Sequence, residues 1–476
     1  MFYFCTGDRL CCATICYMEE LTFKEYAKNN PLECAPKAWV EDNVFLSRVG
    51  IEIPSKDNLP FGFVKLYPED FIVEEITEAE EQLSIDAGTN DVDQSADDGE
   101  TVYVTLVKYN LTTFEAERLL AEALGCEQKQ ISHAGIKDFR AVTAQRLSIR
   151  KVAIEIVKQV KHPQFFLKDI VQGKGVLLPG KLYGNRFTIL IRTEDSFYDG
   201  QTAKYFTEHF KSVLDNGFNN FYYLQRFAAP RYNSARWGKL ILLGEYEEAV
   251  QGMMTDLSTT ELDFFTDVRK KLKEMWGDWQ AMHEMLQTSV PHDEFHNERN
   301  YIKHLMDHPE DFLGALQTEA QHVKLCVHAF GAYLHNKQMS FLLKNNRNLP
   351  DSFPVVVSYK NSDMNVYRHL LQQEKAWLAH WVGLQNFPDI GRRPSRVKLK
   401  SGVSIESVDV VAEGIKMQFT LKKGEYATTF LSHLFNLLGG SLSMHPSVNM
   451  STENITKLPG LTHEYFKPII EDMQPE

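Results

Sequence analysis

No apolar run in the sequence approaches the ~18 to 20 residues of a membrane span, which argues against a helical membrane protein. Cysteine is scarce: seven in 476 residues, at 5, 11, 12, 16, 34, 126 and 326, too few for a disulfide scaffold of this size. Four of them crowd the first sixteen residues, but no paired C-x2-C spacing is present, so the usual thiolate metal cage is missing. Met1-Phe2-Tyr3-Phe4-Cys5 is apolar, yet it lacks a basic start and is followed by Asp8 and Arg9, which makes it a poor signal peptide. Met18 opens an ordinary polar stretch, so residues 1–17 read as an over-extended start or a disordered tail. An intracellular protein is the default expectation, cytoplasmic or, in a eukaryotic host, nuclear. Internal repeats are also absent.

Positive charge is in short supply as well, with 51 Lys and Arg against 64 Asp and Glu and a net charge of −13. That balance speaks against a nucleic-acid binder until its distribution is examined. Nine acids and no base lie between Glu78 and Glu100, and removing that stretch takes the balance from −13 to −4. Its Gly, Asn, Ser and Asp content reads as a disordered acidic loop over 77–100. The opposite texture runs from Lys129 to Lys151, where six Lys or Arg residues surround a single carboxylate, Asp138. Neighbouring cations favour the ionised form of an acid, which suits a nucleophile or base that must meet a polyanion. The plainer reading is a loop Asp paired with Lys137 or Arg140.

With 43% hydrophobic residues the chain can bury two or three domains. Residues 1–60 read as a peripheral appendage. Phe63 to Ile76 is strand-like, with Lys65 near its start and a turn at Pro68-Glu69-Asp70. Thr101 to Val107 is rich in β-branched residues and predicts a strand. Thr112-x-x-Glu115 is a capping box opening a helix that ends at Gly125. The Asp138 segment follows, and Leu147-Ser148-Ile149 returns to a strand, so Asp138 falls on a connecting loop, where reactive groups are commonly presented. Another strand is expected from Phe187 to Arg192 and a helix from Asp199 to Asp215. The aromatic stretch Phe221-Tyr222-Tyr223-Leu224-Gln225-Arg226-Phe227 suits base stacking or, more plainly, core with a snorkelling Arg. From about Gly244 to Leu384 helical periodicity dominates, most clearly over Lys324–Lys344. Strands return after Arg392-Arg393-Pro394, where Ile415, Met417, Phe419 and Leu421 alternate with Lys416, Gln418, Thr420 and Lys422. A helix follows through Leu438, and the tail from Pro446 is loop-like.

Two tempting motifs fail on chemistry. Gly175-x4-Gly180-Lys181 nearly spells a phosphate-binding loop, but Leu182 stands where a magnesium-binding hydroxyl is needed and Pro179 lies within it. His292-Asp293-Glu294-Phe295-His296 and His304-x3-His308 suggest a metal site, but no Glu follows the first His as the zinc-protease pattern requires, and surface histidines explain them better.

The ordered motifs together resemble the TruD family of pseudouridine synthases. The pattern A-G-x-K-D-x-x-A-x-T-x-Q is matched from Ala134 to Gln145. Four further blocks follow the family order: Lys65-x-x-Pro68-Glu69-Asp70-Phe71; Gly184-Asn185-Arg186-Phe187; Gln225-Arg226-Phe227 with Asn233; and Leu421-x-x-Gly424-x-Tyr426-Ala427-Thr428. Coverage runs from about 61 to 440. The resemblance implies an α+β fold: a catalytic domain with a mixed, largely antiparallel sheet flanked by helices, interrupted by an inserted, mainly helical domain, with RNA in the cleft between them. The expected boundaries are 61–215 and 396–445 for the catalytic domain, 216–395 for the insertion, and 446–476 for a C-terminal tail.

The implied reaction converts uridine in RNA, most often transfer RNA, to pseudouridine. It neither adds nor removes atoms and involves no redox change, so no metal or cofactor is expected, and the partner is RNA rather than a membrane, with the chain acting as a monomer. By the resemblance Asp138 is the catalytic carboxylate, as nucleophile or as base. Lys65 would keep it ionised, Asn185 would hydrogen-bond near it and Phe187 would stack on the target base, unless Phe187 is simply core. Lys137, Gln225 and Arg226 would bind substrate. Phosphates would be met by groups such as Lys129, Arg140, Arg146, Arg392 and Arg393, giving an affinity that falls steeply with salt. Two departures stand out: Tyr223 and Ala228 replace family glycines, and Ser432-His433 replaces an Arg-Glu pair. They leave room for an alternative, an RNA-binding or RNA-folding protein of this fold with little catalytic activity.

Overall fold

The alternation that begins at Ile415 produces the strand it predicts: Ile415, Met417, Phe419 and Leu421 are buried, whereas the intervening polar residues are half-buried or exposed. A computed structural model describes residues 21–53, 56–88, 99–194, 200–357, 361–377, 380–390, 396–440 and 448–473. It divides the chain into two units, one of residues 1–57, 220–400 and 439–444, the other of 58–219, 401–438 and 445–476.

The second unit is built on one mixed sheet. Its strands are β1 (Phe61–Phe63), β2 (Phe71–Ile76), β3 (Thr101–Tyr109), β4 (Ile131–His133), β5 (Val142–Arg150), β6 (Phe165–Gly173), β7 (Gly184–Thr193), β8 (Ser404–Val411), β9 (Gly414–Lys422) and β10 (Asn436–Gly440). The order β10-β1-β7-β2-β5-β3-β6 is extended by β9 on β7, β8 on β9 and β4 on β5. Only β10 with β1 and β2 with β5 run parallel in this set.

One sheet face is covered by the helix Thr113–Leu124, whose Ala116, Leu120, Ala121 and Leu124 join Val102, Val104, Leu106, Leu147 and Ile149 in a core cluster. Thr112 caps this helix by accepting from the Glu115 N–H at 3.1 Å, and Gly125 ends it in the left-handed region at φ +63°. The carboxylate of Glu115 turns to Arg118 rather than back to the cap, so only the threonine half of the expected capping box forms.

The opposite face corrects two expectations. Leu83 and Ile85, within the stretch read as disordered, are 1% and 5% exposed and pack on Ile72, Val107, Tyr109, Val142 and Phe166. Residues 77–88 are therefore ordered, because two apolar side chains on alternate positions find a sheet face to bury; the remainder, 89–98, lies outside the described residues. The tail read as loop contains the helix Gly460–Met473, which adds Phe466, fully buried, to the same cluster. Burying such a ring contributes about 1.5–3 kcal/mol, enough to hold a short helix in place.

The first unit is mainly helical, as the periodicity after Gly244 indicates. Ser234–Leu243 packs on the long helix Ala320–Lys344 so closely that a Cβ on Gly238 would meet the carbonyl oxygen of Cys326 at 2.0 Å, which requires glycine there. Residues 21–57, read as a peripheral appendage, are integral to this unit. Leu46, Val49 and Ile51 are buried, Asn336 donates to the Val49 carbonyl at 3.0 Å and Ser340 donates to that of Gly50 at 2.9 Å. No helix among the described residues is long and apolar enough to cross a membrane.

Candidate active site

Strand register sets the floor of the site. Lys108, Thr143, Val73, Phe187 and Phe419 are successive Cα partners across β3, β5, β2, β7 and β9, so they form one row on one face. The adjacent row contains Glu75 and Asn185, direct partners, with Gln145 two residues along from Thr143. Side chains two apart on a strand share a face, so Glu75, Lys108, Gln145, Asn185 and Phe187 all point to the same side.

The loop from Ala134 to Ala141 is tied down on that side. Lys108 donates from Nζ to the Asp138 carbonyl at 2.7 Å and to that of Leu111 at 2.6 Å. Lys137 donates to Glu75 in a buried ion pair, their side chains 3% and 1% exposed. The Lys137 N–H donates to Thr113 Oγ1 at 2.9 Å, and the Thr113 hydroxyl donates to Gln145 Oε1 at 3.1 Å. Gln145 Nε2 reaches the Gly135 carbonyl at 3.3 Å. A loop with so many anchors presents its one carboxylate in a fixed position.

Asp138 is met there by Lys65, which forms an ion pair and hydrogen bond with Oδ1. Lys65 sits in the left-handed region at φ +63°, a conformation that opposes an L side chain by roughly 1–2 kcal/mol and persists only where neighbours impose it. The neighbours are visible: Asp70, just beyond, accepts from Arg192 at 2.8 and 2.9 Å in a fully buried two-point pair, and Arg192 also donates to the carbonyls of Asn449 and Ser451. The Lys65 ammonium lies 4.1 Å from the centroid of the Phe71 ring, whose edge meets Phe187 at 6.1 Å between centroids.

Electrostatics follow from this crowding. Desolvation pushes the Asp138 carboxyl upward, but the charge and hydrogen bond of Lys65, with the charges of Lys108 and Lys137, outweigh it and hold the group below its ordinary value. Lys108 moves the other way: burial dominates and takes its ammonium down to about 7, against the attraction of Asp138 and with the repulsion of Lys137 and Lys65. The carboxylate still keeps 39% of its side-chain surface exposed, so a ligand can reach it.

The expected site residues divide accordingly. Lys65 and Asp138 are in contact. Phe187 is linked to them through Phe71, but it is 5% exposed and stacked on Phe419 at 5.3 Å, so it is core and floor at once. Asn185 makes no bond to Asp138; it faces Glu75 across the strands with its side-chain oxygen buried and without a partner, a group poised for a ligand. The Lys137 ammonium points into the sheet rather than toward a ligand. Gln225 is exposed and Arg226 half-buried, both in the helical unit. Arg140 is exposed, Lys129 pairs with Glu127, and Arg146 is held by Glu81 and the Asp169 carbonyl. Arg392 and Arg393 lie outside the described residues. Reasoning from sequence missed Glu75 and Lys108. For Lys108 a signal existed, because it continues the parity of Val102, Val104 and Leu106 onto the buried face.

The departures from the family pattern have structural explanations. Ala228 retains the left-handed backbone of a glycine, at φ +55°. Tyr223 has ordinary extended geometry and buries its ring, its hydroxyl donating to Glu41. His433 Nε2 accepts from the Asn219 N–H at 3.2 Å while Nδ1 lies 2.8 Å from the Thr429 carbonyl, which assigns the proton to Nδ1. No group of three His, Cys, Asp or Glu residues suited to a metal ion occurs among the described residues.

Comparison with known proteins gives one family. The model described as tRNA pseudouridine synthase D (TruD) matches residues 54–363. A Methanopyrus kandleri protein named "Probable tRNA pseudouridine synthase D" is 27% identical over 358 residues, spanning 70% of this chain and 85% of its own. One of the same name from Archaeoglobus fulgidus is 30% identical over 295 residues, 62% of this chain and 65% of its own. A Methanosarcina mazei crystal structure described as tRNA pseudouridine synthase D (TruD) superimposes with a TM-score of 0.59 at 21% identity, covering 82% of this chain and 97% of that one. At that identity the likeness establishes the α+β fold.

Proposed function

We propose a reaction and a site from one premise: the chain belongs to the TruD family of tRNA pseudouridine synthases. It is an isomerase that converts uridine in RNA to pseudouridine, and transfer RNA is the substrate class its relatives' names point to. In this reaction the bond from N1 to the sugar C1′ breaks, the base turns, a bond from C5 to C1′ forms and the C5 proton is lost to solvent as N1 gains one. Nothing else enters or leaves.

The observation that carries our assignment of Asp138 is its ion pair with Lys65 at the open end of a buried polar row. An ionised carboxylate serves either available route, attack on the nucleotide or abstraction of the C2′ proton to give a glycal. Lys65 keeps Asp138 ionised and aims it. The target base must leave its stack to reach the carboxylate. We assign Phe187, backed by Phe419, as the apolar floor beneath it, and the unpartnered Asn185 oxygen as an acceptor for an N–H of the base. Lys137 becomes a positioning residue, holding the loop through Glu75. Gln225 and Arg226 are retained as RNA contacts.

Asp138→Asn tests the assignment. The expected outcome is no pseudouridine detectable by mass spectrometry in transfer RNA that the wild type converts, with RNA affinity changed less than about three-fold, because the carboxylate serves chemistry rather than phosphate contact. Conversion by the Asn variant would remove Asp138 from the mechanism. A wild type that binds RNA without converting any would favour the binding protein instead.

A further inference from the structure

The long helix Ala320–Lys344 carries a feature that the isomerisation does not use. His328, Gly331, Ala332 and His335 are spaced i, i+3, i+4 and i+7, so they share one helix face. Gly331 and Ala332 are too small to fill the ground between the two imidazoles. A cavity of about 250 Å³ remains, closed by Tyr222, Arg226 and the backbone turn Val355–Val357. It is below the about 300–1,000 Å³ of pockets for drug-sized ligands, so it suits a single ring system rather than a whole nucleotide.

His335 is the anomaly. It is 1% exposed, lines the cavity, and neither ring nitrogen has a hydrogen-bond partner. A buried imidazole normally satisfies both, and leaving them unmade opposes folding. Burial drives its imidazolium down to about 3, and that of His328 to about 4, so both are neutral near pH 7. A neutral imidazole presents one donor and one acceptor. Tyr222 meets His335 edge to face at 5.0 Å, and its backbone is fixed by Asn336, which accepts from its N–H at 2.9 Å and donates to its carbonyl at 2.8 Å. Arg226 lies over the Tyr222 ring at 5.5 Å and pairs with no carboxylate among the described residues.

A planar ligand with hydrogen-bond donors and acceptors on its edge satisfies all of these groups at once. We propose that this cavity receives one nucleobase of the RNA substrate, distinct from the uridine that reaches Asp138, with His335 and Arg226 reading its edge. The proposal rests on the reading of the chain as an RNA-acting protein. Unstacked bases held by aromatic faces and read on their edges are the usual route to sequence-specific RNA recognition. A free phosphate fits less well, because three of the four polar side chains lining the cavity are uncharged.

Equilibrium binding of the full chain to a set of transfer RNAs, each with one nucleobase other than the converted uridine removed to leave an abasic sugar, tests this. For the wild type, one position should weaken binding about ten-fold, the scale of a stacked and hydrogen-bonded base. His335→Leu should bind the intact RNA about ten-fold more weakly and be indifferent to that position, whereas His335→Gln, which keeps a donor and an acceptor, should recover part of the loss. If His335→Leu fails to fold, Ala332→Met blocks the cavity without touching the imidazole and should give the same indifference. Abasic effects identical in wild type and cavity variants would overturn the proposal, and so would a loss that no abasic position reproduces, which is the result expected for a phosphate site. Pseudouridine formed in the same samples is scored separately: coupling in binding without any conversion would leave the base site standing and sink the isomerase reading.

Discussion

Replacing Lys137 with Met separates two roles for this residue, substrate contact and support of the loop. Its ammonium and the Glu75 carboxylate are 3% and 1% exposed. Removing one member of such a pair strands the other charge in low dielectric, which destabilises by about 3–5 kcal/mol. Glu75 also accepts from the Arg146 backbone N–H at 3.2 Å, which moderates the loss but does not neutralise the charge. For a unit of some 230 residues this corresponds to a melting temperature lower by about 6–20 °C. The double variant Glu75→Leu with Lys137→Met removes both charges and should recover most of that, since apolar replacement of a buried pair is often neutral or stabilising by about 1–4 kcal/mol. All six tryptophans fall in the helical unit, so tryptophan fluorescence is the wrong probe. Amide hydrogen exchange in β2 and β5 reports the pair directly. Exchange protection in Lys137→Met within about 1 kcal/mol of wild type, together with a ten-fold loss of RNA affinity, would falsify the support role and return Lys137 to the substrate.

The Lys65 pair makes a pH prediction. With the Asp138 carboxyl held low, single-turnover conversion should be flat from pH 7 down to pH 5; in Lys65→Met desolvation prevails, the carboxyl rises, and the acid limb should move up into that range. An unchanged profile in the variant would remove Lys65 from control of Asp138. Lys108 predicts the alkaline side: its ammonium titrates at about 7 when folded and near its ordinary 10.5 when unfolded, so the unfolded chain binds more protons between these values and stability should rise across them. Lys108→Met, which leaves Asp138, Lys65 and Lys137 in place around it, should lose that rise in melting temperature, and a rise of equal size in the variant would assign it elsewhere. Ala228→Gly should stabilise by about 0.5–1 kcal/mol in denaturant midpoint, because it relieves a left-handed alanine; a lower midpoint would mean the alanine side chain contributes contacts that outweigh its backbone.

Much of this molecule is legible in the chain because the relevant signals are local. The Ile415 alternation, the Thr112 cap with Gly125, and the Asp138 loop ahead of the Leu147 strand each follow from neighbours a few residues apart. What escaped is what depends on distant partners. Leu83 and Ile85 are two apolar residues in an acidic run, and only the sheet face beneath them explains why they order. The tail from Pro446 reads as loop, yet Gly460–Met473 is helical in spite of Pro468 within it, because Phe466 finds the core. Glu75 and Lys108 drew no attention as site residues, since nothing local reveals that a loop some 30 to 60 residues further on brings Lys137 and Asp138 to them. Phe187 reads from sequence as core or stacking residue, and its contacts with Phe419 and Phe71 place it in the core, with the base-stacking role left to the proposal.

The pairing of β7 with β9 bears on how the protein is made. β7 ends at Thr193, but its neighbour begins at Gly414, and the helix that seals the far sheet face begins only at Gly460. At about 5–20 residues per second, a ribosome adds the intervening chain over some tens of seconds, during which β7 has an unsatisfied edge and Tyr109 and Phe166 lack their cover. Such long-range pairings fold slowly, and open edges invite aggregation. A chain cut short between residues 194 and 413 would thus carry Lys65, Asp138, Asn185 and Phe187 and still lack β9, the strand that pairs with β7. Nascent chains of this protein should lean on chaperones while β7 waits for β9.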